Sequence, residues 1–309
     1  MILQAGAMAA AAWFIDADPG KFSDDSAAIV TCLRNSARMS VKGITVVSGN
    51  VWARDGSRYV RETLRAVGRH PPVHLGSQRP LVHTPEMAKR QGELEFAGAF
   101  GEPEPQPGRE TAVDWLIGEL ERRSASILAI GPLTNIARML EKKPAIAARI
   151  EKLVIMGGAV DVPGNVTKAA EFNFWFDPEA AQMVFASPVR KILAPLDVCN
   201  KAVVDKRRFD EVAAVDTPVA RLYRESFGNG YPGFLTKPDA RTYLWDELAA
   251  AYALDPSIAV KVETRRLDVV TELGPRYGAV VQGPHAVEVL LEADTDRAWE
   301  MTKAALIRK

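Results

Sequence analysis

Trp13–Leu33 (WFIDADPGKFSDDSAAIVTCL) decides how this chain reads. Trp13–Asp16 is a short apolar run that stops at acidic residues and a Pro19-Gly20 turn. Asp24 and Asp25 then lead into Ala27, Ala28, Ile29, Cys32 and Leu33, the apolar side of an amphipathic helix whose acids sit at its positive N-terminal end. A strand, a tight acidic loop and a helix follow one another within about twenty residues.

The pattern recurs along the chain. Gly43–Ser48 is continuous and β-branched, as a strand buried on both faces should be, and a polar-faced helix follows over about Asp55–Val67. Val113, Leu116, Ile117 and Leu120 fall at helical spacing. Ile127–Ile130, Leu153–Met156 and Lys191–Pro195 read as strands, with helices at Thr134–Glu141 and Pro178–Phe185. Repeated βα units predict an α/β fold: one mostly parallel, Rossmann-like sheet with helices on both faces. The stretch richest in Pro and Gly, Gly101–Gly108, reads as a surface loop rather than a linker, so residues 13–309 are expected to form a single domain. In such sheets ligands bind at the carboxyl ends of the strands, and polar residues there carry the most weight.

Composition excludes several classes. The 309 residues carry 39 basic and 39 acidic side chains, without the excess of positive charge that a general nucleic-acid binder uses on phosphates. The longest apolar run, Met8–Ile15, is too short to span a bilayer. The alanine-rich opening, residues 1–12, has no Lys or Arg before its apolar run and reads as a loose tail of a cytoplasmic protein rather than a secretory leader. Cys32 and Cys199 have neither disulfide-framework nor zinc-site spacing.

Asp16, Asp18, Asp24 and Asp25 lie within ten residues at the end of the first strand. Carboxylates crowded into a cleft repel one another, and a bound cation relieves that repulsion. An all-oxygen set suits a hard ion such as calcium or magnesium. An N-cap with a solvated acidic turn would explain one or two of these acids. An Asp-x-Asp after a first strand also fits a magnesium-dependent aspartyl phosphotransferase, but the later strand ends carry amides, glycines and apolar residues instead of the lysine and acids that chemistry needs.

Six segments, in this order, resemble the calcium-dependent nucleoside hydrolase family: Asp16–Asp25 (DADPGKFSDD), Gly43–Val51 (GITVVSGNV), Leu128–Ala137 (LAIGPLTNIA), Val154–Val166 (VIMGGAVDVPGNV), Ala170–Ala181 (AEFNFWFDPEAA) and Trp245–Tyr252 (WDELAAAY). The resemblance implies hydrolysis of the N-glycosidic bond of ribonucleosides to free base and ribose, with Ca2+ as cofactor. It implies that Asp18 is the general base and bridges the metal and the attacking water. The metal ligands would be Asp18, Asp25, the main-chain carbonyl of Ile130, and Asp246. Asp24 would touch the ribose, Asp16 would support the set from behind, and Asn50, Met156, Asn165, Glu171 and Asn173 would hold the ribose hydroxyls. Glu171 and Asn173 also suit the opening of a helix, Asn165 a turn, and Met156 a core position. Relatives of this kind are commonly dimers or tetramers, so a homo-oligomer acting on a small-molecule ribonucleoside is expected, with no nucleic-acid or membrane partner.

The chain departs from the family in two places. Lys21, Phe22 and Ser23 lengthen the acidic loop. Trp245 stands where many members have a histidine before the distant aspartate, and none of His70, His74, His83 and His285 falls on an acid position of the family; of these, His83 is the only one kept as a candidate. Trp245-Asp246 resembles the purine-preferring inosine–adenosine–guanosine branch, in which an indole stacks on the base. That resemblance implies a catalytic role for Trp245, which could instead pack in the core. Phe96, Phe100, Trp175 and Tyr231 are candidates for a second stacking ring. Without the family histidines, a relative that binds ribosides or related sugars without fast hydrolysis is the alternative.

Overall fold

The computed structural model describes residues 10–92, 94, 96–106, 108–227, 237 and 239–309. The strands are β1 (Ala11–Ala17), β2 (Met39–Val46), β3 (Val73–Leu75), β4 (Ala125–Ala129), β5 (Ile150–Met156), β6 (Lys191–Ala194), β7 (Val203–Asp205), β8 (Arg241–Tyr243), β9 (Ala259–Val269), β10 (Val280–Gln282) and β11 (His285–Ala293). Nine of them form one sheet in the order β10-β9-β11-β6-β5-β4-β1-β2-β3, and β7 pairs with β8 apart from it. From β3 to β11 every neighbouring pair is parallel, as the βα alternation predicts, whereas β9 runs antiparallel to both β11 and β10. That antiparallel edge was not expected. β9 and β11 are long, and half of β9 is exposed, so neither shows the short buried run that marks the parallel strands.

Strand alternation builds the two layers. Trp13, Ile15 and Ala17 enter one apolar cluster, while Phe14 enters the other. Leu128, Val154 and Met156 join the first, and Ile127, Ala129, Leu153 and Ile155 the second. Helices Asp24–Arg34, Ala53–Val67, Asp246–Leu254 and Thr295–Ile307 cover the first face. Ala112–Arg122, Thr134–Lys142 and Pro178–Ala186 cover the second. The expected helices and strands are present, with ends displaced by at most four residues. Ala11 and Ala12, expected in the tail, belong to β1, because they pair in register with Met39 and Ser40. Residues 1–9 lie outside the described residues. Among the described residues no helix is long and apolar enough to cross a membrane, and both cysteines are buried free thiols.

The connections define the crevice. After β1 the chain runs outward through β2 and β3, then returns to build β4, β5 and β6 on the other side. The loops after β1 and β4 therefore diverge at a topological switch point, where an open α/β sheet presents its binding cleft. Leu128 lies on β4 beside this point with its side chain wholly buried. Leu128→Ala is expected to lower unfolding stability by about 2–5 kcal/mol through the cavity it leaves. Denaturant titration checks this, and a midpoint equal to that of the unaltered protein would contradict the packing described.

Candidate active site

Asp18 follows β1 directly and is held on three sides. Its amide donates to Asp25 Oδ1 (2.9 Å), and its Oδ2 accepts from the Asn50 amide (2.7 Å). The third support is steric. A Cβ on Gly49 would lie 2.0 Å from Asp18 Oδ2, and one on Gly131 2.6 Å from Asp18 Oδ1. Two strand-end glycines thus let backbone close around one carboxylate. The Ile130–Gly131 peptide lies against Asp18, which brings Ile130 to the same site, and the Ile130 amide donates to the Asp16 carbonyl (2.8 Å).

Asp24 and Asp25 open the helix Asp24–Arg34, and Asp246 opens the helix Asp246–Leu254. The two helices pack on one another, and each of the three acids brings a carboxylate oxygen within 4.8 Å of the others. A sequence separation of more than 200 residues is closed by helix packing. Asp25 Oδ2 also accepts from Ser23 Oγ (3.0 Å) and Asn50 Nδ2 (3.2 Å). Asp16 lies behind: its Oδ1 accepts from Thr45 Oγ1 and from Asn135 Nδ2 (2.7 Å), while its Oδ2 is buried without a partner among the described residues.

Burial raises every one of these carboxyls. Asp18 is pushed well above the usual range by burial and then by the charge of Asp25. Asp25 is raised by burial and then by Asp24, and Asp246 by burial and then by Asp24, Asp25 and Asp18. Burial lifts Asp24 to about 6 and Asp16 to about 7. At 4.8 Å two unit charges repel by about 3.5 kcal/mol at an effective dielectric of about 20. Three such pairs rival the whole folding stability of a domain. The acids must therefore hold protons or share a cation. The donors are all oxygens, and Asp18 Oδ1 is buried without a partner among the described residues. This set fits a hard divalent ion.

The second group of expected residues assembles beside the first. Asn173 Nδ2 donates to the Met156 carbonyl (3.3 Å), and Asn165 Oδ1 accepts from the Phe172 amide (3.0 Å). Glu171 caps the Phe172–Phe176 helix, accepting from the amides of Asn173 (3.0 Å) and Phe174 (3.2 Å), and also from Gly158 (2.8 Å). Burial lifts its carboxyl to about 7 against those three hydrogen bonds, with the charge of Asp24 adding to the rise. The charge of Glu171 adds in turn to the rise of Asp18.

The aromatic candidates separate. Phe100 and Trp175 are buried in a cluster with Phe176 and Tyr277, where no ligand can stack on them. His83 sits edge-on to Phe100, Trp175 and Tyr277, and burial lowers it to about 4, so it is a core histidine. Phe96 is 49 % exposed above Phe172. Tyr231 lies outside the described residues. Trp245 is half-buried beside Tyr243, and its Nε1 has no partner among the described residues. Glu247 was missed in the sequence. It is buried next to Asp246, its Oε2 has no partner among the described residues, and its carboxyl is raised by burial and then by Asp24. The only signal for it was a second acid at a helix start already carrying one.

Comparison with known proteins identifies the family. The profile of the inosine-uridine preferring nucleoside hydrolase family matches residues 13–300. The chain is 36 % identical over 261 residues to the pyrimidine-specific ribonucleoside hydrolase RihA of Salmonella agona, covering 81 % of each chain. It is also 36 % identical over 211 residues to an uncharacterized protein of Schizosaccharomyces pombe, covering 66 % of this chain and 67 % of that one. A plant nucleoside hydrolase structure superposes with a TM-score of 0.81 at 26 % identity over 97 % of this chain and 99 % of its own. A purine-preferring ribonucleoside hydrolase from Gardnerella vaginalis gives 0.76 at 25 % over 96 % and 98 %. A mostly parallel α/β fold that matches these relatives over nearly its whole length is that of a nucleoside hydrolase. The chain belongs to the inosine-uridine preferring nucleoside hydrolase family.

The raised carboxyls set a pH dependence. Between the ordinary carboxylate range near 4 and the folded values near 6 to 7, the folded cation-free protein holds more protons than the unfolded chain. Its stability from these groups is therefore greatest below that window and falls as pH rises through it. The rise in Tm on adding a saturating hard divalent cation is expected to be larger at pH 8 than at pH 5.5. Scanning fluorimetry at both values checks this, and an equal or smaller rise at pH 8 would contradict it.

Proposed function

We propose that this enzyme hydrolyses the N-glycosidic bond of purine ribonucleosides to free base and ribose, with Ca2+ as its cation and Asp18 as general base. The observation that carries the reading is Asp18 Oδ1. Among the described residues it is a buried carboxylate oxygen with no donor, while the other oxygen and the amide of the same residue are tied in place. Asp18, Asp25, Asp246 and the Ile130 carbonyl would hold the ion, with Asp24 beside them. When bound, the cation supplies Lewis acidity that makes water more acidic and binds ribose hydroxyls.

The chain's own groups do the rest. Water attacks the anomeric carbon, Asp18 takes its proton, and the electron pair of the breaking C–N bond leaves on the base. The sugar passes through an oxocarbenium-like state, as in other glycosidic cleavage. Asn50, Asn165, Glu171, Asn173 and Met156 fix the ribose, and fixed geometry converts binding energy into rate. Trp245 offers an aromatic face to the departing base, which solvent protonates; such a face favours a flat cationic ring. Asp16, near the end of β1, supports Asp18 from two residues back along the chain.

Purine preference rests on Trp245 in the place of a histidine. The pyrimidine-specific RihA relatives favour the opposite preference, and one assay separates the two. Inosine, adenosine, guanosine, uridine and cytidine are incubated with and without chelator, and reducing sugar is measured. Release from the purines that stops with chelator is expected. Faster release from uridine and cytidine would overturn the purine assignment, and no release from any would overturn the hydrolase reading. In addition, 2′-deoxynucleosides are expected to react at least about 100-fold more slowly, because the partners of the missing hydroxyl stay unpaired. Trp245→Ala is expected to lower purine kcat/KM by at least about tenfold, the scale of a base–aromatic stack, while Tm stays within a few degrees. Unchanged purine kcat/KM would remove Trp245 from the site.

A further inference from the structure

The extra loop residues Lys21, Phe22 and Ser23 carry an arrangement that the reading above does not use. Ser23 occupies the N-cap of the Asp24–Arg34 helix with extended backbone, and its carbonyl accepts from the Ala27 amide (3.1 Å). A serine there normally turns its hydroxyl to accept from an amide of the first turn. Ser23 makes no such cap bond. Its Oγ donates to Asp25 Oδ2 (3.0 Å) and accepts from the Gly20 amide (3.2 Å). A hydroxyl has a single proton to donate. With Gly20 supplying a donor to Oγ, that proton is directed onto the carboxylate.

Asp25 is consequently pinned at both oxygens, Oδ1 by the Asp18 amide (2.9 Å) and Oδ2 by Ser23 (3.0 Å) and Asn50 (3.2 Å). Held this way, it keeps a carboxylate oxygen within 4.8 Å of those of Asp24 and Asp246. Phe22 places the serine. It is the one non-glycine residue with positive φ (46°) among the described residues, a conformation that costs about 1–3 kcal/mol. Its ring is buried edge-on to Tyr223 with centroids 6.3 Å apart, which offsets that cost and fixes the turn delivering Ser23 to Asp25.

We propose that Ser23 is a positioning residue that orients Asp25 for the cation, with Phe22 as the anchor of the loop. The proposal rests on the cation reading of the preceding subsection. Groups one step removed from a metal typically change its affinity by about 10–100-fold when removed.

The test is calorimetric titration of Ca2+ into chelator-stripped full-length protein, together with the Tm of each cation-free form. Ser23→Ala is expected to weaken Kd by at least about tenfold with little change in the cation-free Tm. Ser23→Thr, which keeps the hydroxyl, is expected to stay within about threefold of the unaltered protein. Equal Kd values for Ser23→Ala and the unaltered protein would overturn the proposal and leave the cation site standing. Equal weakening in both variants, with a lower cation-free Tm, would also overturn it, since loop packing rather than the hydroxyl would be responsible. No Ca2+ binding by the unaltered protein would overturn the cation reading itself, and this proposal with it.

Discussion

Repulsion among buried carboxylates is the constraint around which this protein is built. Asp18, Asp24, Asp25 and Asp246 meet where two helix starts and the end of β1 converge, and Glu171 and Glu247 add charge to the same cleft. Without compensation such a cluster would weaken the fold by an amount comparable to its stability. Helix N-termini lessen the cost, since Asp24, Asp25 and Asp246 each sit in a first turn. Amides and hydroxyls lessen it further. The remainder is an unfavourable interaction that a proton or a bound cation would relieve.

Holding such a cluster requires a rigid frame, and the sheet provides it. Asp16 accepts from Thr45 on β2 and from Asn135 on the Thr134–Lys142 helix, and Asn135 Oδ1 accepts from the Ser77 amide just beyond β3 (2.7 Å). One buried polar chain therefore ties the first three parallel strands to a helix on the far face. Asp177 plays a similar part farther along, accepting from Thr134 Oγ1 and from the amides of Leu81 (3.0 Å) and Ala180 (3.1 Å). Asp177 is structural rather than reactive, because both its oxygens are spent on neighbours. Asp16 and Asp18 each keep one oxygen without a partner among the described residues.

Local sequence was legible wherever the physics is local. Short apolar runs ending at glycine or proline gave β4, β5 and β6, a β-branched run gave β2, and acids before apolar periodicity marked the start of the first helix. The antiparallel edge was less legible, because β9 is half exposed and its partner β11 follows late in the chain. The aromatic residues were ambiguous for a different reason. A buried ring and a stacking ring have the same composition, and only exposure separates Phe100 and Trp175 from Phe96. Glu247 escaped notice since its burial comes from the helices and loops packed around it, not from its neighbours in the chain.

What the sequence determined by itself was the alternation of strands and helices and the gathering of four acids after the first strand, since propensity, turn chemistry and charge spacing act over a few residues. The residues that complete the site were recognisable there only by resemblance. Their convergence was decided by tertiary structure. Packing of the Asp24–Arg34 helix on Asp246–Leu254 carries Asp246 across more than 200 residues to Asp24 and Asp25. Close approach of Gly49 and Gly131 packs backbone against the Asp18 carboxylate. Burial turns ordinary aspartates into groups that need a proton or a cation, and burial depends on what the rest of the chain places around them.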